Sequence, residues 1–246
     1  MNEVSIEKMN RLKLYGMQRV FQTILETRQH QTLTNDELVS MLIQAEWEDR
    51  ENRKITRLLR AARFRYQASI ESIDFQANRN LDKNQLLRLA ECSFIEKKEN
   101  LLVSGPTGVG KSFLISALGH QACNKGYRTA YFNTQKLFSR LKMMKADGSY
   151  INELNRIEKQ DLLILDDFGM RPLDNQDRMM LLEIIEDRHE RKSTIISSQL
   201  PVEKFYDVIG ESTIADAILD RMAYSSHRIE LKGTSMRKNK KIENKN

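Results

Sequence analysis

The sequence predicts an α/β protein with a mostly parallel sheet flanked by helices, preceded by a small all-helical domain. Three features indicate this fold. Apolar segments of strand length alternate with helical segments after residue 83, the first 65 residues show helical periodicity and no strand, and a glycine-rich turn joins the first predicted strand to a helix. Such alternation is typical of parallel sheets that helices cover on both faces.

The N-terminal domain is predicted over residues 1–65. Apolar residues recur at helical spacing from about residue 6 to residue 27, with a bend expected at Gly16. A second, long helix begins with a capping box, in which Thr34 is followed by Glu37, and its apolar stripe continues to Ala62. Residues 66–82 have weak periodicity and many polar side chains, which predict a linker.

The second domain is predicted over residues 83–233, followed by a basic tail at 234–246. The predicted strands occupy residues 99–104, 128–132, 161–165 and 193–197. The predicted helices occupy residues 83–91, 111–125, 134–145 and 175–190, with a closing helical region at 202–223. Each strand is followed by a helix, so the strands are expected to run parallel.

Composition excludes several classes of protein. Cys92 and Cys123 lack CxxC spacing and a nearby histidine cluster, so we expect buried thiols and neither a disulfide framework nor a zinc site. The sequence has no run of 18 apolar residues, and Glu3 and Glu7 stand where a signal peptide would be basic. We therefore expect a cytoplasmic protein with no membrane contact.

The glycine-rich turn GPTGVGKS, residues 105–112, has the pattern GxxxxGK[ST]. Its position after an apolar strand and at the start of a helix is the context in which this pattern binds nucleotide phosphates. Successive backbone N–H groups and the helix N-terminus form an anion site, Lys111 bridges the β- and γ-phosphates, and Ser112 ligates Mg²⁺. The residues predicted to bind the nucleotide are Gly105, Pro106, Thr107, Gly108, Val109, Gly110, Lys111, Ser112 and Phe113.

A second part of the same site is predicted at the end of the apolar run LLILDD, residues 162–167. Two adjacent carboxylates at the end of a buried strand repel each other unless a cation lies nearby. We therefore assign Asp166 to Mg²⁺ and Asp167 to orienting or deprotonating the attacking water. Gln199 follows the next predicted strand, where it either contacts the γ-phosphate or water or belongs to an ordinary turn before Pro201.

Basic residues are concentrated on one predicted helix face. The net charge is +6, and positions 50, 53, 57 and 60 are three and four residues apart, so their side chains share a face. Such a row suits phosphate oxygens of DNA, whereas the alternative is a solvated face balanced by Glu46, Glu48, Asp49 and Glu51. Because those acids precede the row, we favour DNA binding by Arg50, Arg53, Lys54, Arg57 and Arg60.

Five motifs in this order carry a family resemblance: GPTGVGKS at 105–112, DLLILDDFG at 161–169, IISSQLP at 195–201, ILDRM at 218–222 and GTSMR at 233–237. The chain resembles the IstB/DnaC group of AAA+ ATPases, and within it IstB, the helper ATPase of an insertion-sequence transposase. The resemblance covers essentially the whole chain. It implies an AAA+ P-loop fold, binding and hydrolysis of ATP with Mg²⁺, and an ATP-dependent homo-oligomer on duplex DNA that activates a transposase.

The resemblance also implies roles for single residues. Gln199 falls at the sensor-one position. Arg221 falls where related proteins carry an arginine finger that reaches the γ-phosphate of a neighbouring subunit, and its alternative is a surface arginine paired with Asp220 or Glu211. Arg188 and Arg237 are further candidates for an arginine acting in trans.

Two other functions remain as alternatives. The first is a DnaC-type loader of a replicative helicase, which shares every ATPase motif. The second is a small-molecule kinase, which lacks support because the sequence shows no acceptor-site residues.

Overall fold

The computed structural model describes residues 2–28, 32–223 and 226–236, and the chain divides into two compact units, Met1–Arg57 and Leu58–Asn246. The first unit contains α1 (Asn2–Arg11), α2 (Tyr15–Glu26) and most of α3 (Asn35–Ala62), which continues into the second unit.

The capping box at the start of α3 is confirmed. The Thr34 N–H donates a hydrogen bond to Glu37 Oε2 at 2.8 Å, and the Glu37 N–H donates to Thr34 Oγ1 at 3.3 Å. Each side chain thus satisfies a backbone N–H that lacks a partner within the helix. These bonds fix the residue at which the 28-residue helix begins.

The predicted bend at Gly16 is wrong. The chain leaves the helical conformation at residues 12–14, where Lys13 has a φ of 58°, and Gly16 lies inside α2. Gly16 instead permits close packing, because a Cβ atom at this position would lie 2.2 Å from the carbonyl oxygen of Ala45 on α3. The buried carboxylate of Glu46 accepts a hydrogen bond from the Gly16 N–H at 2.9 Å and so stabilises the N-terminus of α2.

The second unit is built on a five-stranded sheet in which all paired strands are parallel. The spatial order is β2-β3-β4-β1-β5. In chain order the strands are β1 (Asn100–Ser104), β2 (Thr129–Asn133), β3 (Leu162–Phe168), β4 (Ser193–Ser198) and β5 (Ser226–Glu230). The predicted parallel α/β architecture is therefore confirmed.

Helices cover both faces of this sheet, and side chains of one strand enter different cores. Leu101 and Val103 of β1 belong to one apolar cluster and Leu102 to the other, as the alternation of a strand requires. The first cluster contains α4 (Lys83–Ala90), α5 (Ser93–Glu96) and α6 (Lys111–Asn124). The second contains α7 (Thr134–Asp147), α8 (Tyr150–Glu158), α9 (Asn175–Arg188), α10 (Phe205–Ile209) and α11 (Ser212–Ala223).

Three elements, α5, α8 and β5, were not predicted from the sequence. α8 had a readable signal, because its buried residues Tyr150, Leu154 and Ile157 follow helical spacing. β5 had a weaker one, since only Ile229 among its five residues is buried. The strand forms through its parallel pairing with β1, which the local sequence does not encode.

Residues 66–82 pack as part of the second unit. Ala68, Ile70 and Ile73 are buried in the same apolar cluster as α6, and Arg79 is only 5% exposed. The segment predicted as a linker thus contributes core side chains, and the compact units meet between Arg57 and Leu58. The functional division into domains at 1–65, 66–82, 83–233 and 234–246 stays a prediction.

Both cysteines are buried and free, as expected. Burial raises the pKa of Cys92 and of Cys123 to about 11. Among the described residues, no helix is both long enough and apolar enough to cross a membrane.

Candidate nucleotide-binding site

The glycine-rich turn lies between the end of β1 and the start of α6. Gly105, Gly108 and Gly110 have φ values of 143°, 83° and 97°, in the region that favours glycine. A Cβ atom at Gly105 would lie 2.2 Å from the carbonyl oxygen of Leu231, so a larger residue would also clash. The turn therefore has the backbone freedom and the helix N-terminus that a phosphate site requires.

Lys111 is the first residue of α6, and its ammonium group lies against the turn. Its side chain is nearly buried, and Nζ donates hydrogen bonds to the carbonyl oxygens of Gly105 at 2.7 Å and Pro106 at 2.9 Å. Ser112 follows it and is partly exposed. The Phe113 ring packs beside the first apolar cluster, 6.2 Å from the ring of Tyr66, so its side chain anchors the helix start.

Asp166 and Asp167 lie at a β-bulge near the end of β3. The pairing with β4 is regular up to Leu165 and resumes at Phe168, which pairs with Ser198. Asp167 has a φ of 57°, uncommon for a residue with a side chain. Bulges occur beside active sites, where they redirect a side chain. Because of this bulge, both carboxylates lie at the carboxyl end of the sheet, where the glycine-rich turn also lies.

Each carboxylate has defined partners. The Tyr131 hydroxyl donates to Asp166 Oδ2, and burial together with this carboxylate raises the pKa of Tyr131, which therefore stays a donor. Asp167 Oδ2 accepts hydrogen bonds from Asn133 Nδ2 and from Arg65, both at 3.0 Å. The Arg65 guanidinium also lies 3.6 Å from Asp166 Oδ2.

The oxygen atoms near this edge fit a magnesium-bound nucleotide. Asp166 has no exposed surface, and its buried Oδ1 atom has no hydrogen-bond partner among the residues that the structure describes. Mg²⁺ takes one or two protein oxygens and completes its shell with water and phosphate oxygens. Asp166 and the Ser112 hydroxyl supply ligands of this kind. The described part of the chain has no cluster of three or more His, Cys, Asp or Glu residues that could hold a metal by themselves.

Gln199 follows β4, but its side chain is engaged elsewhere, since Nε2 lies 3.1 Å from the sulfur of Met170. Its role as sensor stays a prediction. Ser197, which pairs with Val103 of β1, is fully buried, and its hydroxyl has no hydrogen-bond partner within the described residues. It lies opposite the Asp166–Asp167 bulge, and a serine within a strand carries no distinctive sequence signal.

Arg79 is a second residue at the turn that sequence reasoning missed. Its buried guanidinium donates to the carbonyl oxygens of Val109 at 3.1 Å and Asp74 at 2.8 Å, and Nη1 lies 3.3 Å from the sulfur of Met236. A Cβ atom at Gly110 would lie 2.6 Å from Nη1. Arg79 therefore connects the glycine-rich turn to Asp74, which precedes the sheet in sequence, and to Met236, which follows it. Burial lowers the pKa of the Arg79 guanidinium.

The three candidate trans arginines are placed very differently. Arg188 is 2% exposed and donates to the carbonyl oxygens of Ile157, Gln160 and Ser193 and to Thr194 Oγ1. These bonds hold the guanidinium inside the unit, where it cannot reach a neighbouring subunit, so this candidate is wrong. Arg237 lies outside the described residues.

Arg221 lies near the end of α11. Its guanidinium donates to the carbonyl oxygen of Ala217 at 2.9 Å and to Glu186 at 3.2 Å, so its acidic partner is neither Asp220 nor Glu211. Its carbonyl oxygen lies 3.3 Å from Nδ2 of Asn100, the first residue of β1. The glycine-rich turn follows the last residue of that strand, about 13 Å further along. Arg221 therefore lies at the opposite end of β1 from the turn of its own subunit.

The predicted DNA-binding face of α3 is partly ion-paired. Arg50 pairs with Glu46, Arg53 with Asp49 and Lys54 with Glu51, so the acids preceding the row do reach into it. Arg57 and Arg60 are exposed and have no acidic partner within 4.0 Å among the described residues. The carboxylates of Glu46 and Asp49 are largely buried, and only the pair of Lys54 and Glu51 is exposed on both sides and contributes little stability. Arg57, Arg60 and Lys54 are therefore the cations most available to phosphates.

The fold and this site define a P-loop nucleotide-binding protein with a parallel α/β sheet. The family model described as IstB-like ATP binding protein matches residues 7–244. The chain therefore belongs to the IstB-like ATP-binding protein family, as the motifs predicted.

Two relatives agree with this assignment. An insertion-sequence ATP-binding protein of Sinorhizobium fredii is 40% identical, over 96% of this chain and 97% of the relative. The ATP-binding protein of insertion sequence IS21 from Pseudomonas aeruginosa is 29% identical over 93% of this chain and 86% of its own length.

Two solved structures share the fold. The DnaC helicase loader aligns with a TM-score of 0.57 at 24% identity, covering 68% of this chain and 97% of that one. AMPPCP-bound DnaA from Aquifex aeolicus aligns with a TM-score of 0.57 at 19% identity, covering 74% of this chain and 55% of the DnaA chain. At these identities the likeness is one of fold.

Proposed function

We propose that this protein hydrolyses ATP as a switch, assembles on duplex DNA as a homo-oligomer, and activates a partner transposase during insertion-sequence transposition. The ATPase part rests on one observation: the glycine-rich turn, Asp166 and Asp167 all lie at the carboxyl end of the sheet. The transposase part is supported by the family and by relatives described as insertion-sequence ATP-binding proteins.

The chain's own residues have the following roles in this proposal. The backbone N–H groups of residues 105–112 and the N-terminus of α6 bind the phosphates, and Lys111 moves from the turn's carbonyl oxygens to the β- and γ-phosphates. Ser112 and Asp166 hold Mg²⁺, which supplies charge neutralisation and polarises the γ-phosphoryl group when bound.

Asp167 orients the attacking water and accepts its proton as the water oxygen bonds to the γ-phosphorus. The bond from that phosphorus to the β,γ-bridging oxygen then breaks, and ADP leaves. The partners of Asp167, Asn133 and Arg65, determine whether this carboxylate is free to act, because both donate to the same oxygen atom.

Assembly on DNA is supported by two placements. Arg221 lies away from the glycine-rich turn of its own subunit, which leaves it available to the nucleotide of a neighbour. The exposed cations of α3, with Arg57 and Arg60 lacking acidic partners among the described residues, suit phosphates of duplex DNA independently of base sequence.

A strand-transfer assay tests the whole proposal. The purified transposase of the same insertion sequence would be incubated with duplex DNA, ATP and either the wild-type protein, Lys111→Ala, or Lys204→Ala, which changes an exposed lysine away from the site. We expect stimulation by the wild type and by Lys204→Ala, and none by folded Lys111→Ala. Absence of stimulation by the wild type would contradict the helper role. Loading of a replicative helicase onto single-stranded DNA by the same preparation would favour the DnaC-type alternative.

A further inference from the structure

A cavity of about 680 Å³ lies along the outer edge of β2, apart from the glycine-rich turn. Four consecutive β2 residues, 130–133, line it, whereas no residue of 105–112 does. β2 is the first strand in the sheet order and pairs with β3. Since consecutive side chains point to opposite faces, a cavity lined by four in succession lies against the strand's backbone edge. That edge presents N–H and C=O groups that no other described strand pairs.

Two layers form the walls of this cavity. On one side are residues 61–63 and 65, and the ring of the intervening Phe64 lies 6.2 Å from that of Tyr131 on β2. On the other side are α7 and α8, which contribute the buried residues Leu137 and Ile157. The space could thus hold one further strand beside β2, with a layer of protein on each face, as the existing strands have.

Cationic side chains dominate the lining. They are Arg63, Arg65, Lys136, Arg140 and Arg156, against one lining acid, Asp167. Arg140 and Arg156 share the buried carboxylate of Glu153, at 3.4 Å and 2.7 Å, and Arg65 pairs with Asp167. Arg63 and Lys136 are exposed and have no acidic partner within 4.0 Å in the part of the chain that the structure describes. The cavity therefore carries an excess of positive charge.

We propose that this cavity is a docking site for an extended acidic peptide of a partner protein, which adds to β2 as a sixth strand. An unpaired strand edge offers main-chain hydrogen bonds to another extended chain, and side-chain pockets then give specificity. The cationic walls select carboxylate side chains by charge complementarity. Single-stranded DNA would satisfy the charges, but it lacks the alternating N–H and C=O groups that pair with a strand edge.

The position of the site links the peptide to the nucleotide. Asn133 and Asp167 both line the cavity, and the Asn133 amide donates a hydrogen bond to Asp167, the proposed catalytic carboxylate. A peptide seated on β2 would draw Arg65 toward its carboxylates and away from Asp167. This inference does not require the transposase role, and the binding test below uses neither ATP hydrolysis nor a transposase.

A fluorescence anisotropy titration tests the site with a fluorescein-labelled decapeptide of alternating Thr and Glu. We expect wild-type protein to bind it and both Lys136→Glu and Arg63→Glu to weaken binding about tenfold or more, because each reverses an unpaired wall charge. Lys204→Glu, an equivalent reversal at an exposed lysine outside the cavity, should bind as the wild type does. A matched peptide with alternate N-methylated amides keeps the charge but loses strand pairing, and it should bind about tenfold more weakly.

Hydrogen exchange on the wild-type protein gives a second measurement that needs no variant. Saturation with the Thr-Glu peptide should slow exchange of backbone amides within residues 129–133. Equal binding of the N-methylated peptide, or unchanged exchange in β2, would overturn strand addition. Binding that is insensitive to Lys136→Glu and Arg63→Glu would overturn the location. Tighter binding of a fifteen-residue oligo(dT) with the same dependence on these two variants would assign the cavity to single-stranded DNA instead.

Discussion

The guanidinium of Arg65 lies 3.0 Å from Asp167 Oδ2, the oxygen to which Asn133 also donates at 3.0 Å. Arg65 follows the long helix α3, whereas Asp167, the proposed catalytic carboxylate, lies near the end of β3. Because both donors bond to one carboxylate oxygen, that oxygen is less available to the attacking water. Arg65 is therefore placed to restrain the group proposed to activate water.

The first prediction follows from that contact. Arg65→Gln should raise the basal rate of ATP hydrolysis about three- to tenfold, because the ion pair that engages Asp167 Oδ2 is removed and the carboxylate is more available to the attacking water. Steady-state phosphate release measures it. Arg63→Gln removes a nearby arginine that has no acidic partner among the described residues, and it should leave the rate unchanged. A lower rate in Arg65→Gln would mean that Arg65 supports catalysis and does not restrain it.

The second prediction concerns Asp167 itself. Asp167→Asn should bind ATP as the wild type does but lose about 10²- to 10⁴-fold in hydrolysis, the range typical of a general base. The two donors at Oδ2 can still bond to the amide oxygen, so the local structure should persist. Binding of a fluorescent ATP analogue and phosphate release separate the two effects, with Asp216→Asn as an exposed control. Turnover near the wild-type rate would move the role to another residue.

Local sequence was sufficient for β1, the glycine-rich turn and α6, because the pattern GxxxxGK[ST] fixes strand, turn and helix within a few residues. The start of α3 could also be predicted from local sequence, since Thr34 and Glu37 form hydrogen bonds with each other. By contrast, Arg65 and Asp167 are 102 positions apart. Their contact arises from how the segment after α3 packs, and no spacing rule reports it.

The other differences between the sequence-based predictions and the structure depend on which side chains are buried. Arg188 and Arg221 are both arginines near helix ends, and the sequence offered no means to tell them apart. The structure buries Arg188 among backbone carbonyl groups and leaves Arg221 partly exposed. Gly16 likewise reads as a helix breaker, whereas it serves the contact between α2 and α3.

The third prediction tests the basic face of α3. Arg57→Glu combined with Arg60→Glu should weaken binding to duplex DNA at every sequence and reduce the slope of log K against log salt by roughly 2. ATP binding should be unaffected. Fluorescence anisotropy at several salt concentrations measures the slope. The control reverses two exposed lysines elsewhere, Lys97→Glu with Lys204→Glu, and an equal loss in that control would indicate an effect of net charge alone.

The fourth prediction concerns the two thiols. With a pKa of about 11 for each, raised by burial, roughly one thiol in 10³ is ionised at pH 8, against about a quarter for an ordinary cysteine. Ellman's reagent should therefore react slowly with native protein at pH 8 and quickly with both cysteines in guanidinium chloride. The Cys92→Ala and Cys123→Ala variants would show which cysteine is responsible for any fast phase of the reaction. Rapid modification of the native protein would show that one thiol is accessible.

The last prediction concerns a site shared between subunits. Arg221→Ala should keep ATP binding but lose roughly 10³- to 10⁵-fold in hydrolysis, because an arginine finger stabilises the charge of the transition state. Lys111→Ala should instead lose ATP binding. Each variant is expected to be inactive alone, for different reasons.

Mixing the two variants separates a finger acting in trans from a structural arginine. An Arg221→Ala subunit offers an intact glycine-rich turn, and a neighbouring Lys111→Ala subunit offers an intact Arg221. Phosphate release should therefore recover in the mixture on duplex DNA, rising with the fraction of mixed neighbours. Mixing Arg221→Ala with the double variant Lys111→Ala/Arg221→Ala is the matched control and should give no recovery. Since Arg221 lies at the far end of β1 from its own turn, failure to recover in demonstrably mixed oligomers would remove it from catalysis and leave its contact with Glu186 as its role.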